Sequence, residues 1–490
     1  MSEAALPAEE SGLRQGLSKA QVVMIGLGGA IGTGLFAGST LAIGYAGPGV
    51  VLSYIIAGFI ALAMVLSLSE MAVAHPSAGS IGVYAETYLN PWAGFVVRYT
   101  YWAAEVIAVG GEMVAAGIYM TYWFPGTPIW LWSLGFGAAL LLVNARSVKN
   151  FGSFEYGFAL IKVCAIVIFI VLGASAIFGL GVKAIGVTNL THSTGGLFPH
   201  GLGGVWMAVI VGVFSYNGIE VIAVASGETR DPARAIPAAL RTMALRLFLF
   251  YVLAMAVIVT VAPWASMAGK TVTESPFVRV FSYIGVRDAA GVMNFVVLTA
   301  ALSSMNTNLY LCGRMLFSLS RGGYAPKFLG KLNALGSPVG ALILSGLVML
   351  AAAAISKITP LAYNYLLGVA LFGAIIVWMT ILASHLAFRS QRKGDLPLRT
   401  AMFPWLQIAG LLLLAALLVT MGLSKDWNIS WIVGVPWLGL LTLAYFIRKR
   451  RGDHQDLDFV GGVQGPGVAG GDDEGVAGGE GVAPGVVQGR

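Results

Sequence analysis

Residues 28–34 read Gly-Gly-Ala-Ile-Gly-Thr-Gly, and residues 214–220 read Phe-Ser-Tyr-Asn-Gly-Ile-Glu; each stretch interrupts a long apolar segment. Because glycine destabilises a helix interior, such stretches predict a helix that unwinds within its apolar segment. The unwound backbone would offer free N–H groups to anions and free C=O groups to cations. A second interpretation is close helix packing, since Gly28 and Gly32 are spaced as a small-xxx-small pair.

The composition is that of a protein whose outer surface faces lipid. Of its 490 residues, 57% are hydrophobic and only 10% are charged, whereas soluble domains carry roughly 25% charged residues. The net charge of +7 is distributed in short runs between apolar segments, which is typical of topology signals and not of a nucleic-acid-binding face. Cys164 and Cys312 lie in apolar stretches, so the sequence predicts neither a disulfide framework nor a metal site.

Runs of about 20 apolar residues, the length that crosses a bilayer, occur twelve times. Their approximate bounds are 20–44, 48–74, 92–122, 128–145, 151–181, 203–228, 238–263, 287–320, 337–357, 361–388, 403–424 and 428–448. The glycine-containing interruptions fall in the first and sixth runs, and thus open two units of five. Because five is odd, the two units have opposite orientations. We therefore predict an all-α integral membrane protein with twelve transmembrane helices and an inverted five-helix repeat.

The distribution of basic residues predicts the orientation. If the N-terminus is cytoplasmic, nineteen Lys and Arg residues fall on the inner side, and six fall on the outer side. This bias favours two cytoplasmic termini. No cleavable signal peptide is visible, so we expect the first span to be a retained signal anchor.

These features predict three regions. Residues 1–19 form a cytoplasmic tail, and residues 450–490, rich in Gly, Val and acidic residues, form a disordered cytoplasmic tail. Between them lies a twelve-helix core over 20–449. Its predicted parts are repeat one (20–181), repeat two (203–388) and two accessory helices (403–448).

At both interruptions, and at other ordered motifs across about residues 18–449, the chain resembles the amino acid permease family of the amino acid–polyamine–organocation (APC) superfamily. The matching stretches are 28–36 (GGAIGTGLF), 46–48 (AGP), 91–95 (PWAGF), 158–162 (FALIK), 214–220 (FSYNGIE), 227–232 (GETRDP), 235–237 (AIP) and 318–321 (SLSR). The resemblance implies a LeuT-type fold of ten core helices plus two accessory helices. It also implies that an α-amino acid binds between the broken first and sixth spans.

By this resemblance the amides of Thr33 and Gly34 would take the substrate carboxylate, as the dipole argument also suggests. The carbonyls of Ala30, Phe214 and Asn217 would take its ammonium group. Phe214 would cover the substrate as a gate, although a buried aromatic side chain is more often simple core packing. The predicted substrate-binding residues are Ala30, Ile31, Gly32, Thr33, Gly34, Glu112, Phe214, Ser215, Asn217 and Gly218.

Two ionisable residues inside apolar segments are predicted to couple transport to an ion, because buried charges in membranes are costly and usually functional. The resemblance suggests that the ammonium of Lys162 occupies the position of a sodium ion in sodium-coupled relatives, where it could release and take up a proton. The alternative is a fixed structural cation tying span 5 to carbonyls of span 1. Glu220 could likewise carry a proton or stabilise the unwound segment.

The third span contains three further charged residues. Glu112 resembles an acidic residue of the family and could line the substrate pocket or pair with a buried donor. Arg98 and Glu105 depart from the family pattern, which is usually uncharged at both positions. Because Arg98, Glu105 and Glu112 recur every seven residues, they share a helix face. They could form a charged stripe along a path for a cationic substrate, but we favour a salt bridge between Arg98 and Glu105.

The sequence therefore predicts a proton-coupled amino acid symporter of the cytoplasmic membrane that works by alternating access. An amino acid exchanger and a non-transporting membrane sensor of amino acids are the alternatives. The predicted partners are an amino acid, a proton and the lipid bilayer, without nucleic acid. No nucleophile–base arrangement and no pair of His residues with metal-ligand spacing is visible, so we predict no enzyme activity, catalytic residues, metal or cofactor.

Overall fold

The computed structural model describes residues 19–75, 80–144, 148–180, 184–191, 195–224, 232–269, 275–283, 287–334, 336–391, 396 and 398–450. Throughout these residues the regular secondary structure is helical, and no strand occurs among them. The predicted tails, apart from Lys19 and Arg450, lie outside the described residues. So does most of the 227–232 motif.

The helices follow the apolar runs of the sequence. In chain order they are α1 (Lys19–Ala30), α2 (Thr33–Phe36), α3 (Gly38–Ala46), α4 (Val50–Ala74), α5 (Ser80–Tyr88), α6 (Pro91–Met120), α7 (Ile129–Asn144), α8 (Val148–Phe178), α9 (Thr188–Thr191), α10 (Gly201–Ser215), α11 (Val221–Val224), α12 (Pro232–Val261), α13 (Trp264–Met267), α14 (Pro276–Tyr283), α15 (Arg287–Arg321), α16 (Val339–Ala354), α17 (Ala362–Gln391), α18 (Trp405–Leu423) and α19 (Ile429–Arg450). Three 3₁₀ turns occur at Gly47–Gly49, Lys327–Gly330 and Ile355–Lys357.

Nine helical segments of the described residues are long and apolar enough to cross a membrane. They are Gly38–Ala74, Pro91–Met120, Glu155–Phe178, Pro237–Val261, Asp288–Arg321, Val339–Lys357, Ala362–Gln391, Trp405–Leu423 and Ile429–Arg450. This number differs from the twelve apolar runs for identifiable reasons. The first and sixth runs are each divided into shorter helices, α7 has only 16 residues, and Gly38–Ala74 joins parts of two runs through a 3₁₀ turn.

Helix α6 lies at the centre of the bundle and packs against α5, α7, α15, α16 and α17. An apolar 18-residue stretch of α6 is 83% buried, whereas the corresponding stretch of α19 is 17% buried, so α19 is peripheral.

Small residues allow neighbouring helices to approach α6 closely. A Cβ atom on Gly373 of α17 would lie 2.7 Å from that of Ala104, and one on Gly110 would lie 2.6 Å from that of Ala352. The polar residues of α6 are therefore held inside the bundle.

A buried ion-pair network joins α4 to α17. Oε1 of Glu70 lies 2.6 Å from Nε of Arg389, and Oε2 lies 3.2 Å from Nε2 of His385. The backbone N–H of Thr400 also donates to Oε2 at 2.7 Å. Because Glu70 is fully buried, its charge depends on these partners for stabilisation.

Replacing Glu70 with Ala should destabilise the protein, because Arg389 then loses its buried counter-charge. Removing one partner of a buried ion pair costs on the order of 3–5 kcal/mol. The melting temperature of the protein purified in detergent should fall clearly, whereas Asp288→Asn, at an exposed helix end, should change it little. Equal melting temperatures for the two variants would contradict a stabilising role for the network.

Candidate functional site

The first helix is broken at Ile31 and Gly32, between the end of α1 at Ala30 and the start of α2 at Thr33. Gly32 adopts an extended conformation, with φ −127° and ψ −154°. A Cβ atom at this position would lie 2.6 Å from Oγ of Ser304 on α15. The break thus requires glycine because α15 packs directly against its backbone.

The second break follows α10, which ends at Ser215, and it runs from Tyr216 to Glu220 before α11 begins. Gly218 has φ +93°, a backbone conformation that residues other than glycine rarely adopt. A Cβ atom on Gly218 would lie 2.8 Å from the carbonyl carbon of Gly29. The two breaks therefore touch through their backbones, although they are nearly 190 residues apart.

The same contact extends beyond the breaks. A Cβ atom on Gly34 would lie 2.8 Å from Cα of Ser215 and 3.0 Å from Cδ1 of Phe214. The side chain of Phe214 is 7% exposed and packs in the core. Oγ of Ser215 is hydrogen-bonded to the hydroxyl of Tyr54 at 3.0 Å. The N-terminal end of α2 is thereby held against the C-terminal end of α10.

Side chains from other helices hold the carbonyl groups that the first break releases. The Gly29 carbonyl accepts a hydrogen bond from Ser304 of α15 at 3.3 Å, and the Ala30 carbonyl accepts one from Tyr251 of α12 at 2.7 Å. The Ile31 carbonyl accepts one from Nζ of Lys162 on α8 at 2.8 Å. Each carbonyl oxygen has two lone pairs, so the Ala30 carbonyl retains capacity for a substrate ammonium group.

The amides of Thr33 and Gly34 begin the helical segment beyond the break. The first N–H groups of a helix have no partner within it. Helical conformation continues from α2 into α3 through Ala37, which has φ −95° and ψ −48°. The hydroxyl of Tyr363 on α17 bonds the Thr33 carbonyl at 3.1 Å, and the hydroxyl oxygen of Thr33 itself is buried without a partner. A buried donor set with this geometry suits a small anion.

Lys162 is fully buried, its Nζ donates to the Ile31 carbonyl, and the charged groups that act on it are the carboxylates of Glu155 and Glu112. This contact between α8 and the first break is compatible with both predicted roles of Lys162, as a coupling residue or as a fixed structural cation. Glu112 accepts a hydrogen bond from Ser304 and lies beside Gly32. Glu112 therefore both borders the break and pairs with a buried donor.

Glu155 is a site residue that the sequence analysis missed. It is fully buried on α8 and accepts hydrogen bonds from Oγ of Ser303 and, at 3.2 Å, from Nδ2 of Asn306. A signal for it exists in the sequence. Glu155 precedes Lys162 by seven residues within an apolar run, which gives the two side chains the same helix face.

The predicted salt bridge between Arg98 and Glu105 is wrong. Arg98 instead pairs with Glu86 of α5, at 2.6 Å. Oε1 of Glu105 accepts a hydrogen bond from Nδ2 of Asn217 in the second break, at 2.9 Å. Residues seven apart on one helix are separated by about 10.5 Å along its axis, and ion pairs within a helix form between residues three or four apart.

Glu220 ends the second break, and it is fully buried. Neither oxygen of its carboxylate has a hydrogen-bond partner among the described residues. The four buried acidic residues near the breaks, Glu105, Glu112, Glu155 and Glu220, do not form a metal centre. No three His, Cys, Asp or Glu side chains converge on a cation site within the described ranges.

A cavity of about 700 Å³ lies near the C-terminal end of α3, where Leu41, Gly44 and Tyr45 contribute to its lining. At its edge the hydroxyl of Tyr45 donates to Oδ2 of Asp426 at 2.9 Å. The helical segment Thr33–Ala46 therefore leads from the first break towards this cavity.

Long apolar helices surround two broken ones whose unwound backbone is polar, and this arrangement defines a multi-pass integral membrane protein with a polar centre. The chain belongs to the amino acid permease family of the APC superfamily: the family model described as "Amino acid permease" matches residues 21–458. The predicted family is thereby confirmed.

Individual relatives agree over nearly their whole lengths. An uncharacterized amino acid permease of Bacillus subtilis is 38% identical over 89% of this chain and 95% of its own. A gamma-aminobutyric acid permease of the same organism is 36% identical, over 90% and 95%. A putative histidine permease of that organism is 38% identical, over 89% and 94%. These relatives are named as permeases and not as enzymes, in agreement with the prediction of no enzyme activity.

Replacing Gly218 with Ala should destabilise the contact between the two breaks. The left-handed backbone conformation alone costs about 1–3 kcal/mol for a residue other than glycine, and the new methyl group would overlap the backbone of Gly29. The melting temperature in detergent should fall. Gly135→Ala is the matched control, because a Cβ atom there meets no atom within 4 Å; a similar effect of both variants would contradict the close contact.

Proposed function

We propose that this protein carries amino acids across the cytoplasmic membrane by alternating access, as a proton-coupled symporter. The observation that carries the proposal is the direct backbone contact of two helix breaks inside an apolar bundle. Bare backbone dipoles at such a depth are costly unless they line a site for a polar solute. Family membership supports an amino acid as that solute.

The proposed substrate contacts follow from the polarity of the broken helices. The amides of Thr33 and Gly34, at the positive end of a helical segment, bind the α-carboxylate. The carbonyls of Ala30, Phe214 and Asn217 bind the α-ammonium group. The backbones or side chains of Ile31, Gly32, Glu112, Ser215 and Gly218 complete the lining.

We further propose twelve transmembrane helices in a LeuT-type arrangement. In this arrangement α1–α3 together make the first crossing, and α10 with α11 makes the sixth. Helices α18 and α19 are the accessory pair. The excess of Lys and Arg on one side supports cytoplasmic termini, and the cavity beside Tyr45 is then an outer vestibule.

Replacing Thr33 with Pro should abolish substrate binding. Proline is tolerated at the first position of a helix, and the extended conformation of Gly32 suits the residue before a proline. The substitution therefore removes one N–H with limited structural cost. Binding of an amino acid that wild-type protein transports should be measured by its thermal stabilisation of the purified protein.

The matched control is Thr33→Ser, which keeps both the backbone N–H and a hydroxyl group and should retain binding. Affinity retained by the proline variant would contradict carboxylate binding at this amide.

The proposed coupling residue is Lys162. Its ammonium group donates to the Ile31 carbonyl and is the positive charge that acts on the two carboxylates of Glu155 and Glu112. Loss of its proton would leave two buried carboxylates without a counter-charge and would weaken the bond to the break. Protonation of Lys162, with Glu220 as a second proton carrier, thus favours one arrangement of the broken helix over the other. The proton gradient acts through this bias.

Replacing Lys162 with Met should leave substrate exchange measurable but make net uptake independent of a pH gradient. Uptake of a labelled amino acid into proteoliposomes, with and without an imposed gradient, checks this outcome. Lys357→Met is the control, since Lys357 is exposed and lies over the ring of Trp130. Unchanged gradient dependence in Lys162→Met would contradict the coupling role. Wild-type uptake that ignores the gradient and needs an internal amino acid would indicate an exchanger.

A further inference from the structure

Beside the second break lies a buried carboxylate for which the described residues supply no counter-charge. Glu105, in the middle of α6, is fully buried. Its Oε1 accepts the hydrogen bond from Asn217, and its Oε2 has no hydrogen-bond partner. The charged groups that act most strongly on Glu105 are Glu220 and Glu112, both of them acidic. An isolated charge of this kind is unfavourable in an apolar interior unless a cation or a proton neutralises it.

The basic side chains buried in the described helices are engaged elsewhere. Lys162 is shared by Glu155, Glu112 and a backbone carbonyl. Arg98 pairs with a carboxylate of α5, and the guanidinium of Arg314 lies 4.3 Å from the centroid of a tyrosine ring on its own helix. None of these three is a described partner of Glu105. Glu105 must therefore be neutralised either by a proton or by a cation from outside this set of residues.

The hydrogen-bonding capacity around Glu105 specifies the missing group further. Oδ1 of Asn217 is a second buried acceptor without a partner, and Asn217 is only 9% exposed. If Glu105 were protonated, its carboxyl O–H would be a single hydrogen-bond donor for this site, in which Oε2 of Glu105 and Oδ1 of Asn217 both lack a partner. An ammonium group provides three donors and a guanidinium five. An organic cation thus satisfies both the charge and the unpaired acceptors.

The position of Glu105 suits the far end of a bound substrate. Asn217 directly precedes Gly218, which contacts the backbone of the first break. Glu112, which borders Gly32, lies about 10 Å from Glu105 along α6. A lysine side chain reaches about 6 Å from its α-carbon, given five bonds of ordinary length. A substrate held at the first break can therefore extend along α6 towards Glu105.

We propose that Glu105, oriented by Asn217, binds the positively charged end of the substrate side chain, so that the protein prefers cationic amino acids such as lysine and arginine to neutral ones. This inference rests on the proposed function and adds the substrate class. The relatives leave the substrate class open. Proteins that are 36–38% identical to this chain are named for gamma-aminobutyric acid, for histidine and for threonine/serine.

The test compares substrates of matched shape in proteoliposomes. Uptake of labelled lysine should be compared with uptake of norleucine, and that of arginine with citrulline, because each pair differs mainly in the charge. Wild-type protein should prefer the cation by about tenfold or more, as expected for a hydrogen-bonded charged group. Glu105→Gln should bring this ratio close to one, because uptake of the cation falls towards that of its neutral analogue. Asp288→Asn removes the same charge at an exposed helix end and should keep the wild-type ratio.

Three results would overturn the inference while leaving amino acid transport intact. Wild-type protein could take up neutral amino acids and reject lysine and arginine. This result is obtained with wild-type protein alone, so it does not depend on whether a variant folds. The Glu105→Gln variant could keep both the preference for cations and the wild-type pH dependence of uptake. It could also keep that preference and change only the pH dependence of uptake, which would make Glu105 a proton carrier. Absence of uptake for all twenty amino acids by wild-type protein would instead contradict the proposed function itself.

Discussion

The arrangement of the bundle depends on the satisfaction of backbone groups in an apolar environment. Breaking a helix releases N–H and C=O groups that water cannot reach, and each one left unpaired costs several kcal/mol. Here the carbonyls of Gly29, Ala30 and Ile31 receive donors from three separate helices. The helices α8, α12 and α15 are thereby fixed around the break. Lys162, Tyr251 and Ser304 thus complete the hydrogen bonding of the broken first helix.

The close contact of the breaks follows from the same constraint. Gly29 and Gly218 lie backbone to backbone, without room for a side chain on Gly218. This contact brings the C-terminal end of α1, which carries a partial negative charge, against the break after α10. The N-terminal end of α2, which carries a partial positive charge, lies beside them. Opposite partial charges are then available within the length of a small zwitterion. A site of this kind needs few polar side chains, because the backbone supplies most of its polarity.

The side chains near the breaks add an unequal distribution of charge. Four buried carboxylates lie around the breaks, and one buried ammonium group, that of Lys162, interacts electrostatically with two of them. The two carboxylates beside Lys162 lie near the first break, whereas Glu105 and Glu220 lie near the second. When all of these groups are ionised, the part of the site nearest Lys162 has one positive charge against two negative ones, whereas the part near Asn217 has two negative charges and no positive charge among the described residues.

The sequence alone determined the membrane class, the positions of the apolar helices and the points at which two of them unwind. These properties are local: hydropathy and glycine content act within one segment, so a linear pattern is sufficient to predict them. Only the tertiary structure decided which charged groups meet. Arg98 pairs with Glu86 because α5 folds back along α6, and Ser304 reaches Gly29 from 275 residues away. Helical periodicity fixes the face on which a side chain lies, but the neighbour of that face depends on how all the helices pack.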